Sequence, residues 1–135
     1  MPIVRLPRNL VSQVLRHAQC HAHVEVCGLI SARDGRAVGC YPVRNIARNP
    51  RRYFRMDPRE QIDAMRMMRE RDESLFAIYH SHPGSPAAPS EEDLKEAGYP
   101  DAVYLIVSLH GADTPELRAW RLHGTGCEEL ELWIL

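Results

Sequence analysis

No two of the four cysteines in this chain are spaced C-x-x-C, no apolar run approaches the roughly 20 residues that cross a bilayer, and neither sign of charge dominates. The first absence excludes a zinc knuckle and a thioredoxin-like redox motif. The second excludes a membrane-spanning helix. The third, a formal net charge of −1, argues against nucleic acid as a partner. The start, Met1-Pro2-Ile3-Val4-Arg5, also lacks the apolar core and small-residue cleavage site of a secretory signal. These absences predict a cytoplasmic protein in which Cys20, Cys27, Cys40 and Cys127 are free thiols. No feature speaks to the oligomeric state.

What is present is the composition of a globular protein. The 135 residues are 44% hydrophobic and 26% charged, enough for one core, and residues 1–135 are expected to form one domain. Leu6, Leu10, Val14, Leu15 and Ala18 recur at helical spacing around Pro7 and predict an amphipathic first helix. Val24 to Ala32 and Ala37 to Val43 read as strands joined by an Asp34-Gly35 turn. Residues 44–52 read as a loop and 53–56 as a short strand. Asp57-Pro58-Arg59-Glu60 then supplies an N-cap, a proline at the first helical position and an early acid, which predicts a helix burying Ile62, Met65 and Met68. Leu75 to Tyr79 reads as a central strand, and Ser90 opens a short helix. Val103 to Leu109, Glu116 to Leu122 and Glu128 to Leu135 complete a mostly antiparallel sheet. The fold class is α+β, or mixed α/β.

His80 and His82 end the central strand. Residues two apart in a strand share a face, so the two imidazoles point together while Ser81 points away. Two readings stand: a hydrogen-bonded histidine pair, or two ligands of one ion. A hydrolytic zinc takes three protein ligands and keeps one position open, and Asp93, eleven residues on beyond a proline-rich loop, could return a carboxylate to the pair. Ser90 and Asp93 equally fit a capping box. Glu25, at the entry of an apolar strand, is either an edge charge or the base that takes a proton from water.

Taken together, Glu25 followed by Cys27-Gly28-Leu29, then His80-Ser81-His82-Pro83, then Ser90-x-x-Asp93 resembles the JAMM (MPN+) metalloprotease family. That pattern is a glutamate upstream, H-[ST]-H-P, a serine separated from the second histidine by seven residues, and an aspartate three beyond, and the resemblance extends over essentially the whole chain. It implies a curved, mostly antiparallel sheet flanked by helices, the MPN-like (cytidine-deaminase-like) fold. It also implies Zn2+ held by His80, His82 and Asp93, with Glu25 shuttling the proton and Ser90 donating to the oxyanion. The implied reaction is cleavage after the C-terminal Gly-Gly of a ubiquitin-like protein. Small single-domain versions resemble peptidases that release cysteine or another adduct from a sulfur-carrier protein, and a carrier of this kind is the expected partner. Two alternatives stand beside this: a non-catalytic MPN-type scaffold, and membership of a DNA-repair-associated family.

Arg44, Arg48, Arg51, Arg52 and Arg55 crowd into twelve residues, either as a solvated loop or as a docking surface for an acidic partner. The carrier's tail is expected to add as a strand at a sheet edge near the metal. His17 and His21 read as exposed histidines near a helix C-terminus. Cys27 reads as a small buried residue, since no base is there to activate it.

Overall fold

The computed structural model describes residues 3–111, 114–124 and 126–135. Three helices, α1 (Arg8–Cys20), α2 (Pro58–Glu70) and α3 (Glu91–Glu96), are interspersed with seven strands. The strands are β1 (Ile3–Leu6), β2 (Cys27–Arg33), β3 (Arg36–Val43), β4 (Ser74–His82), β5 (Val103–Ser108), β6 (Glu116–His123) and β7 (Gly126–Ile134). They form one sheet in the order β1-β7-β6-β5-β4-β2-β3, parallel at β1/β7 and β4/β5 and antiparallel elsewhere. The sheet curls until β1 comes against β3.

The α+β expectation holds, and β4 is the central strand with both faces covered. Its alternation divides the core. Ala77 and Tyr79 face the cluster under α1, with Leu10, Val14, Ala18, Leu105 and Val107. Ile78 faces the cluster under α2, with Leu29, Ala64, Met68 and Tyr104. By the same period of two, His80 and His82 continue the Ile78 side, and Ser81 continues the Tyr79 side. Each fully buried leucine or valine stabilises the fold by roughly 1.5–3 kcal/mol.

Several local expectations need correction. Leu6 is a strand residue, not the first of the helix: β1 is four residues long, too short to show its own period, and Pro7 separates it from α1. Ile62 is 66% exposed, because two residues before Ala64 on a helix is about 200° around from the buried Ala64–Met68 stripe. Residues 53–56 form no strand; a single bridge joins Asn45 and Met56. β2 starts at Cys27 rather than Val24 because the Glu25 N–H donates to the Pro50 carbonyl at 2.7 Å and the Val26 N–H to Ser81 Oγ at 2.9 Å.

At Gly28 the chain passes directly over Tyr79, and a Cβ there would overlap its ring. No helix among the described residues is long and apolar enough to cross a membrane. The four cysteines are free thiols.

Candidate metal centre

Four buried side chains meet at the C-terminal end of β4: Glu25, His80, His82 and Asp93, with ligand atoms all within 4.8 Å of one another. Three elements bring them there. β4 supplies the histidines. A parallel neighbour requires a crossover, and the connection from β4 to β5 carries Asp93 back over the strand end. The loop at 83–89 is pinned on that path by two side chains: Ser108 Oγ donates to the Ser85 carbonyl at 2.6 Å, and Trp120 Nε1 to the Ala87 carbonyl at 2.9 Å.

Ser90 and Asp93 form a reciprocal capping box. Asp93 N–H donates to Ser90 Oγ at 3.0 Å, and Ser90 N–H to Asp93 Oδ2 at 2.9 Å. Capping and site-building, the two readings of these residues, are therefore compatible. The serine hydroxyl spends a lone pair on the helix and keeps its proton available on an exposed residue.

Glu25 is held by its backbone. Beyond the Pro50 contact, its carbonyl accepts from Asn45 Nδ2 at 2.8 Å. The same Asn45 amide donates to the Tyr53 carbonyl at 3.0 Å, and its Oδ1 accepts from the Ala47 and Arg55 N–H groups, each at 2.9 Å. One side chain thus ties the loop at 45–55 to the acid. Ser81, between the histidines, braces the adjoining Val26 from the opposite face.

His80 Nε2, His82 Nε2 and Asp93 Oδ2 form a triangle with every edge 3.1 Å. Tetrahedral ligation at about 2.0–2.1 Å implies edges of roughly 3.3 Å, so the triangle has the size of one face of a zinc site. Protons alone satisfy it poorly. His82 Nδ1 lies 2.8 Å from the Pro86 carbonyl, which can only accept, so Nδ1 carries a proton, and whenever the ring is neutral its Nε2 lone pair faces the Asp93 carboxylate. A cation among the three atoms relieves that opposition. The Phe54 ring stacks on His80 at 4.4 Å and fixes its plane.

Burial pulls His82 down but is outweighed by its bonds to Asp93 and the Pro86 carbonyl and by the charges of Asp93 and Glu25, which raise it above an ordinary histidine. Burial lowers His80 despite Asp93. For Asp93, burial is overcome by the two histidines, which hold the carboxyl far below the usual carboxylate range. Glu25 is pushed up to about 8 by burial, opposed by His82 and reinforced by Asp93. Its Oε1 and His80 Nδ1 are buried without a hydrogen-bond partner among the described residues. An unpaired buried carboxylate oxygen is costly, and its persistence marks a place where something else binds.

Phe54 also lines a groove of about 710 Å³ with Arg48, Tyr53, Arg55, Gln61, Ile78, Glu92, Glu96 and Tyr99 among others. Sequence reasoning missed Asn45 and Phe54; the signal for the first was an Asx turn directly after a strand. His17 is not a free surface histidine, since its Nδ1 lies 2.7 Å from the Tyr79 hydroxyl. Cys27 is buried, donates to the Val43 carbonyl, and is pushed up to about 12 by burial and by Glu25 and Glu60. It is no nucleophile.

Residues 7–123 match Prok-JAB, the prokaryotic homologs of the JAB domain, and the chain belongs to that family. Among curated relatives, it is 36% identical over 116 residues to a CysO-cysteine peptidase of Mycobacterium tuberculosis, covering 84% of this chain and 79% of that one. It is 37% identical over 108 residues to a desampylase of Haloferax volcanii, covering 78% of each. A solved protein of Desulfitobacterium hafniense superposes with TM-score 0.87 at 34% identity, over 99% of this chain and 93% of that one. The fold is shared with a structure titled a JAMM metalloprotease-like zinc site in the proteasome and signalosome, at TM-score 0.58 and 18% identity, over 98% and 99% of the two chains.

Proposed function

We propose that this chain, as one domain over residues 1–135, is a cytoplasmic zinc-dependent hydrolase. It cleaves the peptide or isopeptide bond after the C-terminal Gly-Gly of a ubiquitin-like or sulfur-carrier protein. The observation that carries the reading is an unpaired, buried carboxylate oxygen beside a triangle of metal-sized edges. The named activities of the peptidase and desampylase relatives supply the substrate class. Free thiols support a reducing compartment.

In this reading His80, His82 and Asp93 hold zinc, which when bound supplies Lewis acidity to the scissile carbonyl and acidifies water. Glu25 Oε1 accepts the proton of the attacking water and delivers it to the leaving nitrogen. Ser90 donates its hydroxyl proton to the carbonyl oxygen as charge develops there. The Pro86 carbonyl and the Phe54 ring orient the histidines.

β4 is paired on either side, by β2 and β5, so the tail is not expected to pair with β4 itself. In this reading it lies in the groove of about 710 Å³ past Phe54. A scaffold role would have no use for the unpaired Glu25.

The test is incubation of zinc-loaded protein with a carrier joined through its terminal glycine to cysteine or to a lysine side chain, with mass spectrometry of the released tail. Cleavage immediately after the second glycine is expected. No cleavage of either linkage by protein holding one zinc per chain overturns the reading.

A further inference from the structure

Of the five arginines in the loop, Arg44 alone is neutralised, by Asp57 at 2.7 Å and Glu60 at 4.0 Å. Arg48, Arg51, Arg52 and Arg55, with Arg59 at the start of α2, are exposed and form no salt bridge among the described residues. Ile46 and Tyr53 in the same loop, and Ile62 three residues after Arg59 on α2, are exposed apolar groups. Arg48 and Arg55 line the groove beside Phe54, the ring stacked on His80, and Glu92 and Glu96 line the same groove. The loop is held in place by the four hydrogen bonds of the Asn45 amide. An anchored loop with unpaired cations and exposed apolar side chains is suited to read the charge of a folded partner.

We propose that Arg48, Arg51, Arg52, Arg55 and Arg59 form a docking surface for an acidic protein, whose acidic face, next to its extended C-terminal tail, sits on this loop while the tail enters the groove. This rests on the proposed reading of the site and adds the charge character of the carrier. Protein is favoured over nucleic acid because the chain carries a formal charge of −1, Glu92 and Glu96 also line the groove, and the exposed apolar groups have no counterpart on a phosphate backbone.

The test is a charge swap read by binding, so that it stands whether or not the conjugate is cleaved. The probes are two versions of one ubiquitin-like carrier with a free Gly-Gly tail, one with acidic side chains on the face beside the tail and one with those positions changed to lysine. Calorimetric titration of the intact wild-type protein should give a Kd at least about tenfold tighter for the acidic version, weakening with salt. The double variant Arg51→Glu, Arg52→Glu should bind the lysine version better than the acidic one. Equal affinity of wild-type protein for the two carriers, or no inversion in a double variant that folds with wild-type circular dichroism, overturns the proposal. So does tighter binding of a single-stranded RNA 20-mer than of the acidic carrier. Failure of cleavage with the charge preference intact would instead count against the hydrolase reading alone.

Discussion

The side-chain amide of Asn45 donates to the backbone carbonyl of Glu25 at 2.8 Å, and through its other three hydrogen bonds it holds the loop that lines the groove. The groove and the proposed proton acceptor thus share one anchor. Asn45→Asp would keep the two bonds accepted by Oδ1 and lose the two donated by Nδ2, releasing Glu25 while the Ala47 and Arg55 ends stay tied. We expect kcat to fall about 10- to 100-fold in this variant with zinc content unchanged, the scale at which a small misplacement acts. Parallel zinc analysis and steady-state kinetics check this, and loss of zinc in proportion to activity would make Asn45 structural only.

Glu25→Gln should abolish turnover, and Ser90→Ala should reduce it about 10²- to 10³-fold. In metal-free protein the first change should also stabilise the fold. A carboxyl pushed up to about 8 from 4.5 opposes folding once it ionises. Its favourable contribution is therefore complete below 4.5 and is lost as pH rises through about 8. Denaturant melts of metal-free wild-type and Glu25→Gln protein should diverge between those limits, with the glutamine variant the more stable at the alkaline end. Parallel curves across that range would show that Glu25 is not held in its unfavourable state.

Glu73 gives the opposite dependence. Its carboxylate accepts from Tyr41 at 2.7 Å and Ser31 at 2.8 Å and faces Arg33, and these contacts, Tyr41 first, hold its pKa below the ordinary value despite burial. The resulting stability is present above about 4.5 and disappears as pH falls through the lowered value. Glu73→Gln should thus be destabilised relative to wild type at neutral pH, with the gap closing in acid.

How far these residues could be read in the sequence depended on locality. The histidine pair, the capping box and the proline start of α2 are short-range patterns, so their elements were legible. β1 was not, because four residues give no period and its partner β7 lies at the far end of the chain. Ile62 was misread because an apolar residue in an amphipathic helix was assigned to the core by type, while its angle places it outside. Asn45 was passed over because its value lies in four partners spread from Glu25 to Arg55, a relation that appears only once β2 and the loop are side by side.

Removing zinc should loosen α3 before the rest. Asp93 Oδ2 accepts from Ser90 N–H at 2.9 Å while it faces both histidines, so cap and site share one oxygen. With chelator, amide exchange should quicken across 90–96 and leave α1 protected. Adding free zinc at about 100 times its Kd should restore about 2.7 kcal/mol of stability. Uniform quickening over the whole chain would mean that the metal supports global folding rather than the helix.

Gly28→Ala should cost about 1–3 kcal/mol in denaturant melts, since the new methyl meets the Tyr79 ring, whose hydroxyl is held by His17. The combined change Gly28→Ala, Tyr79→Leu should recover part of the loss.

The turn at 83–89 is stapled to β5 and β6 through Ser108 and Trp120, and the loop at 45–55 is stapled to Glu25 through Asn45. Neither wall of the site needs to freeze when a partner arrives. In the proposed complex the entropy lost on association would fall on the partner's tail, and a tail ending in two glycines has the most backbone freedom to lose. Affinity would then come from the folded body of the partner, and the tail itself would contribute selectivity by being thin enough to enter.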